Sequence, residues 1–492
     1  MSSKHIFICA DHGLSIVYFL QSDVLPILLD NGLKVVLLTD DALRLKIEQR
    51  FSQPGLIIEG LRFKQAQNYF QNKWSSFQWW LDFLRRAGAS NRINLEAVNG
   101  YIRQVKTEAH PRRQKMFPLV NLIVEVMRHS KIARRAMVNS QCRFTPSLYT
   151  DLFEKYSPSL VVASTPGWRW DRYLLREASA NGIPTTSVIV GWDNTSSYSL
   201  PGAKVDWITC WSEIQKAELM CGSDWHPERI HISGIPAYDG YFKKSWLIPQ
   251  EEYFKLHNLD PHRKLISYAA SFVSFSPNFQ NIEALARLVN SDTLSFPSQL
   301  LIRLHPNHFM DVPRFISERN KVYQLAQEVP HVHVVDPVPL GGELGYYSGE
   351  DMPEKSSMMA YSDIFTTVYS TMVVEASIHE RPVISVCIDS SEGWPGKYTL
   401  PLSKIGEWPT HLRFRESGAG RVAYNETQLR EAINFYLENP SANNDLRRQF
   451  IQRECTYTDG SAGRHTAEFL ISLLNHDVRL PILDTGRHRR EN

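Results

Sequence analysis

No two of the six cysteines, at 9, 142, 210, 221, 387 and 455, stand at the two-residue spacing of a zinc or dithiol site. Their scatter also excludes a disulfide scaffold and fits reduced thiols in a cytoplasmic protein. Long apolar runs are lacking too. Residues 119–127 are interrupted by Asn121 and Glu125, far short of the roughly 20 residues that span a bilayer. The apolar run 6–10 is too short for a secretory signal and reads as a first buried strand. An excess of one charge is missing, since 54 Lys and Arg face 52 Asp and Glu, a net +2 over 492 residues. No GxGxxG follows a strand, and the glycines at 341–345 lack that spacing. The segment 393–397 places a proline where a phosphate loop needs backbone amides. HExxH, GxSxG and Asp-x-Asp are absent, so the motifs give no support to a metal-dependent mechanism.

What the chain does have is burial capacity: 23 Phe, 20 Tyr and 12 Trp rule out disorder as the dominant state. Its length suggests about two to four domains. Short β-branched runs alternate with helical patterns, the signature of parallel sheets. Strands are predicted at 5–10, 34–39, 56–59, 160–164, 186–190, 207–210 and 229–233, then at 265–270, 300–304, 331–335, 364–367 and 383–388. Helices are predicted at 17–31, 172–181, 282–290 and 372–379, and the polar segment 242–262 separates the two series. The pattern predicts an α/β protein of two doubly wound, Rossmann-like domains facing a cleft. We place the first at 1–245, the second at 246–455, and a C-terminal helix with a polar tail at 456–492.

Residues 62–143 break the alternation. They offer no strand and carry 16 Lys and Arg against 4 acidic residues, so overall neutrality hides a basic helical insertion, over about 62–145, on an acidic body. Trp74, Trp79 and Trp80 stand there beside Phe77, Phe83 and Leu84. One reading is a helical subdomain packed on the first sheet with a solvated basic face. The other is an interfacial surface for anionic lipid, which basic and aromatic residues suit together. No recognition-helix, RNP or zinc signature accompanies the charge, so nucleic acid is not an expected partner.

Four loops at strand ends carry the candidate chemistry, because ligands of such sheets gather at the C-terminal tips of the strands. Asp11-His12-Gly13 follows the first strand. A histidine beside a carboxylate can take a proton from an attacking hydroxyl, and Gly13 permits a tight turn; the alternative is a capping Asp with a surface histidine. In 190–195, Trp192 offers a flat wall to a sugar ring while Asp193 and Asn194 offer partners to hydroxyls; the alternative is an Asx-turn. His305 sits at the tip of the strand 300–304, where it could donate to a phosphate or a base; the alternative is a structural histidine. Ser370 or Thr371 caps the helix 372–379, whose N–H groups suit a diphosphate, and Glu375 lies one turn further along, able to accept ribose hydroxyls. The alternative there is an ordinary cap with a first-turn Glu.

Paired α/β domains, the Arg-Leu-His-Pro at 303–306 and the Ser-Thr-x-x-x-Glu-Ala helix before Pro382-Val383 resemble the GT-B fold of nucleotide-sugar glycosyltransferases. The segments 191–195, 211–213 and 233–239 are similar to bacterial surface-polysaccharide transferases, a group with CDP-glycerol glycerophosphotransferases and capsule Kdo transferases. The resemblance covers most of the chain outside 62–143. It implies that His305, Ser370, Thr371 and Glu375 hold the nucleotide diphosphate and ribose, with Ser271 bordering the phosphates. Asp11 or His12 would lie on the acceptor side as general base of an inverting transfer, Asp193 is a further catalytic candidate, and Trp192 and Asn194 would meet acceptor or sugar. The implied partners are a nucleotide sugar and a glycan or lipid-linked acceptor, with no metal or other cofactor. The implied location is cytoplasmic, peripheral on the inner membrane face if the insertion docks there. The chain departs from the family in two places. Its first loop is not glycine-rich, and Asp193-Asn194 stands where the glycerophosphotransferase pattern has histidine, which favours sugar over polyol-phosphate transfer. Sugar epimerases share the paired domains, so function has to be argued from the site.

Overall fold

Strands apolar on both faces must be covered on both faces, and here that produces two parallel sheets. The structure, a computed structural model, describes residues 4–198, 200–271, 276–341, 348–368, 370–394 and 397–475; residues 342–345, 395–396 and the tail 484–492 discussed above lie outside these. The first sheet contains β1 (His5–Cys9), β2 (Lys34–Thr39), β3 (Leu56–Gly60), β4 (Leu160–Ala163), β5 (Thr185–Val188), β6 (Trp207–Cys210) and β7 (Ile230–Ile232). Its order is β3-β2-β1-β4-β5-β6-β7. The second contains β8 (Lys264–Ala269), β9 (Ser298–Arg303), β10 (Val332–Val335), β11 (Ile364–Thr367), β12 (Val383–Val386) and β13 (Arg421–Ala423), in the order β10-β9-β8-β11-β12-β13. Strand order therefore reverses beside β1 in one sheet and beside β8 in the other, and each reversal opens a crevice at the strand tips. Register brings the tips level: Cys9 pairs with Leu38 and Ala163, and Thr367 with Ala269 and Ser385.

The two doubly wound sheets match the sequence expectation. β13 was not predicted, because three residues at a sheet edge are too few to show alternation. The helix expected at 17–31 is two helices, Gly13–Leu20 and Val24–Asp30. Pro26, lacking an N–H, is tolerated only in a first turn and so starts a new helix. The helix Ala462–Asn475 leaves the second domain and packs on the first. The backbone N–H groups of Ala462 and Gly463 donate to Asp239 at 3.2 and 2.7 Å, and Phe469 stacks on His231 at 4.2 Å.

The insertion is helical throughout its described length: Phe63–Asn72, Ser75–Ala87, Leu95–Glu108, Pro111–Gln114, Phe117–His129 and Lys131–Gln141. Phe83 and Leu84 pack with Phe117, Val120, Val124 and Met127 into the insertion's own core, Trp79 and Trp80 lie partly buried against it, and Trp74 and Phe77 stand exposed. Trp79 meets Trp80 edge-on at 4.7 Å and Phe83 meets Phe117 at 5.3 Å, which uses large rings where they bury most area. Gly88 suits the close approach here, since a Cβ there would lie 2.8 Å from the Leu84 carbonyl oxygen and 2.6 Å from the Met127 side chain. Asp82 ties the insertion to the first domain through Arg85 and Arg172, at 3.0 Å each. Burial alone would raise this carboxyl, but the two guanidiniums outweigh it and hold it at about 2. Among the described residues no single helix is long and apolar enough to cross a membrane.

Candidate active site

Both crevices open onto one cavity of about 580 Å³, within the range of about 300–1,000 Å³ usual for small-molecule sites. From the first domain it is lined by His12 after β1 and by Gly191, Trp192, Asp193 and Asn194 after β5. From the second come Ser271 after β8, His305 after β9, and Ser370, Thr371 and Glu375 after β11. Nine of the ten site residues expected from sequence thus line one cavity, although they span more than 360 positions of chain.

Asp11 is the exception. Its carboxylate is fully buried behind the cavity, accepting from Ser164 Oγ at 2.8 Å and lying 3.6 Å from Arg169 Nε. It anchors the loop after β4 and does not face a substrate. Nearby Asp171 is pushed up to about 7 by burial and by the charge of Asp11. Gly13 is the first residue of the helix Gly13–Leu20, with no positive φ.

His12 and His305 share a local design. Each follows a strand tip and caps the next turn with Nδ1: His12 accepts from Leu14 N–H at 3.0 Å, His305 from Asn307 N–H at 3.1 Å. A ring nitrogen that accepts is unprotonated, so each neutral ring carries its proton on Nε2. Burial first, then the nearby Arg169, lowers His12 to about 3; burial, His308, Arg303 and Lys355 do the same to His305. Both rings are therefore neutral N–H donors. This geometry favours a donor role for His12 over the expected role of general base, since Nδ1 is engaged by Leu14 N–H and burial opposes a protonated ring.

Asp193 has the opposite character. It stands at the N-cap of the short helix Asn194–Ser197 yet makes no capping bond, and burial raises its carboxyl despite the opposing charge of Arg86. Gly191 lets the loop close, because a Cβ there would lie 2.6 Å from the Asn194 side chain. Trp192 differs from its expected role as a sugar platform. It is 1 % exposed, with Nε1 donating to Glu454 Oε2 at 2.7 Å, and so serves as a strut between the domains.

Ser370 and Thr371 line the cavity, but Thr371 makes no side-chain cap; Ser370 Oγ instead accepts from Met372 N–H at 3.3 Å. The helix Met372–Ile378 is only two turns long, so its dipole is a modest charge. The stronger cation is Lys355, which the sequence reading did not single out. Its Nζ lies 2.5 Å from Glu375 Oε2, which also accepts from Tyr241 OH at 2.7 Å. Glu375 thus orients a buried lysine first, rather than waiting for ribose hydroxyls. Arg303 pairs with Asp351 and Glu354, fixing the helix Met352–Tyr361 that carries Lys355. A lysine among buried Ser356, Ser357, Met358 and Met359 was the available signal.

The basic insertion also reaches the cavity. Arg86 and Gln104 line it, with the Arg86 guanidinium over Tyr101 at 4.2 Å and Tyr198 at 4.8 Å. Ala97 of the insertion packs with Leu400, Leu402, Ile405 and Trp408 of the second domain, so the insertion spans the cleft. Among the described residues no three His, Cys, Asp or Glu side chains converge as metal ligands.

No protein-family model matches the chain, and no curated protein matches it in sequence. Solved structures do. UDP-GlcNAc 2-epimerase from Neisseria meningitidis bound to UDP-GlcNAc is 14% identical, with 95% of this chain and 100% of that one covered and a TM-score of 0.53. A glycosyltransferase from Rickettsia africae ESF-5 is 11% identical, over 97% and 100% of the two chains, with a TM-score of 0.51. A putative UDP-N-acetylglucosamine 2-epimerase from Listeria monocytogenes is 12% identical over 96% of each, with a TM-score of 0.51. At such identities the likeness establishes architecture: two Rossmann-like domains in the GT-B arrangement.

Proposed function

We propose that the protein is a glycosyltransferase, taking a sugar from a nucleotide-diphosphate donor held by the second domain and moving it to a hydroxyl of a glycan or lipid-linked acceptor. One observation carries the reading: a single cavity has donors and a cation on one wall and a carboxylate of raised basicity on the other. Lys355 Nζ and the Nε2–H of His305 would meet the diphosphate, with Ser271, Ser370 and Thr371 around it. The Nε2–H of His12 would donate to a sugar or acceptor hydroxyl. Asp193 is the candidate base. As the acceptor oxygen bonds to the anomeric carbon, its proton passes to Asp193 and the bond to the diphosphate breaks. Lys355 then offsets the charge gathering on the leaving group. The wall from Arg86 and Gln104 gives an acceptor its own surface, which favours transfer over epimerisation within one bound sugar.

The test is product analysis by NMR with a nucleotide sugar, with and without a glycan acceptor. Transfer requires acceptor-dependent donor consumption and a new glycosidic linkage. An epimer formed without acceptor would replace this reading with the epimerase one, and turnover of a CDP-polyol alone would replace it with polyol-phosphate transfer.

A further inference from the structure

We infer that the outward face of the helix Phe117–His129 is a docking face for an anionic lipid bilayer, lying in the plane of the headgroups. The helix is apolar on two sides. Phe117, Val120, Val124 and Met127 face the insertion core, while Leu119, Leu122, Ile123 and Val126 form a second row facing out, at 63 %, 63 %, 40 % and 56 % exposed. Met116 before it and Ile132 after it, 81 % exposed, extend the row. Its polar residues, Asn121, Glu125, Arg128 and His129, gather on a third, narrower side, so the outward row is apolar where a solvated helix would be polar. Thirteen residues make about 20 Å of helix, too short to cross a bilayer of about 30 Å but suited to lying at its surface.

Charge selects the occupant. Exposed Arg112 and Lys115 precede the row, and exposed Lys131 and Arg135 follow it. The one acidic residue on the helix, Glu125, is held by His129 at 2.9 Å and Arg128 at 4.0 Å. A second copy of the chain would set two such basic collars face to face within a Debye length of about 8 Å, which disfavours it. Anionic headgroups complement the collar, at about 1 kcal/mol for each Lys or Arg near the surface. The core row beneath packs on Phe83 and Leu84 of the helix Ser75–Ala87, the helix that carries Arg86 into the cavity. A docked helix would hold the active cavity one helix layer from the membrane.

The inference does not rest on sugar transfer, because its experiment uses no nucleotide. The full chain is sedimented with phosphatidylcholine vesicles, with and without phosphatidylglycerol, at low and raised salt. Binding is expected only with phosphatidylglycerol and should weaken with salt. Leu122→Glu with Val126→Glu should lower partitioning by at least about tenfold at an unchanged melting temperature, and Lys115→Glu with Lys131→Glu should abolish the preference for the anionic lipid. Ile132→Glu provides the same test at the most exposed position of the row if the double variant melts early. Equal binding by the apolar-row variants, or no binding by the wild-type chain, would overturn the inference. So would a solution dimer that dissociates on Leu122→Glu, since a second copy would then cover the face.

Discussion

Lys355 and Glu375 form a nearly buried ion pair in the second-domain wall of the cavity, and their separation in chain conceals that they act together. Removing one partner of such a pair strands a charge. Lys355→Met should therefore cost about 3–5 kcal/mol of stability in denaturant titration, and Lys355→Met with Glu375→Gln should recover most of it. Neither variant should recover nucleotide affinity, because the cation itself is gone. Asp193 makes the residue-scale prediction for the acceptor side. A base works only when ionised, and burial raises this carboxyl, so kcat/KM should fall toward acid with a midpoint higher than that of a solvated aspartate. Asp193→Asn should lower kcat about 10²–10⁴-fold and remove that acid limb, while the melting temperature holds.

At the scale of elements, the insertion changes meaning between sequence and structure. Its helices and excess basic charge were legible because composition and the 3.6-residue period are local properties. Which side of each helix faces inward depends on partners distant in sequence. Sequence therefore left open whether Trp79 and Trp80 face inward; they lie partly buried against the insertion's core, while Leu119 and Leu122 stand outside. The same limit hid Arg86, the second of two adjacent arginines: Arg85 turns to Asp82 and Arg86 to the cavity. Strand tips were easier, since a loop after a buried strand in a doubly wound sheet has one place to go. Hence sequence alone brought His12, Asp193, His305 and Ser370 to the lining of one cavity. Their roles were harder, because a tautomer depends on hydrogen bonds such as that from Leu14 N–H to His12. If the insertion supplies the acceptor wall, Arg86→Ala and Gln104→Ala should raise the KM for acceptor and leave the calorimetric Kd for nucleoside diphosphate unchanged.

Across the whole molecule, the domains are joined on both sides of the cavity. Arg413 of the second domain binds Glu218 of the first at 2.9 Å and Glu454 at 2.9 Å, and Trp192 meets the same Glu454. On the other side Gln21 Nε2 donates to Gly349 O at 2.8 Å, and Arg50 Nη1 to Ser348 O at 2.6 Å. Tips of two separate sheets can share a ligand only while these contacts hold them face to face. Arg413→Ala should leave two carboxylates without their guanidinium and cost about 3–5 kcal/mol, read as earlier unfolding in urea. The central claim is that this shared cavity grips a nucleotide diphosphate through Lys355 and His305. The most direct measurement is a melting screen across UDP-, GDP-, CDP-, CMP- and dTDP-compounds on the wild-type chain and on His305→Ala. At saturating concentration one base should stabilise the wild-type chain by about 2–3 kcal/mol, a rise of a few degrees, with most of that rise lost in His305→Ala. No shift with any nucleotide, or an equal shift in the variant, would contradict it.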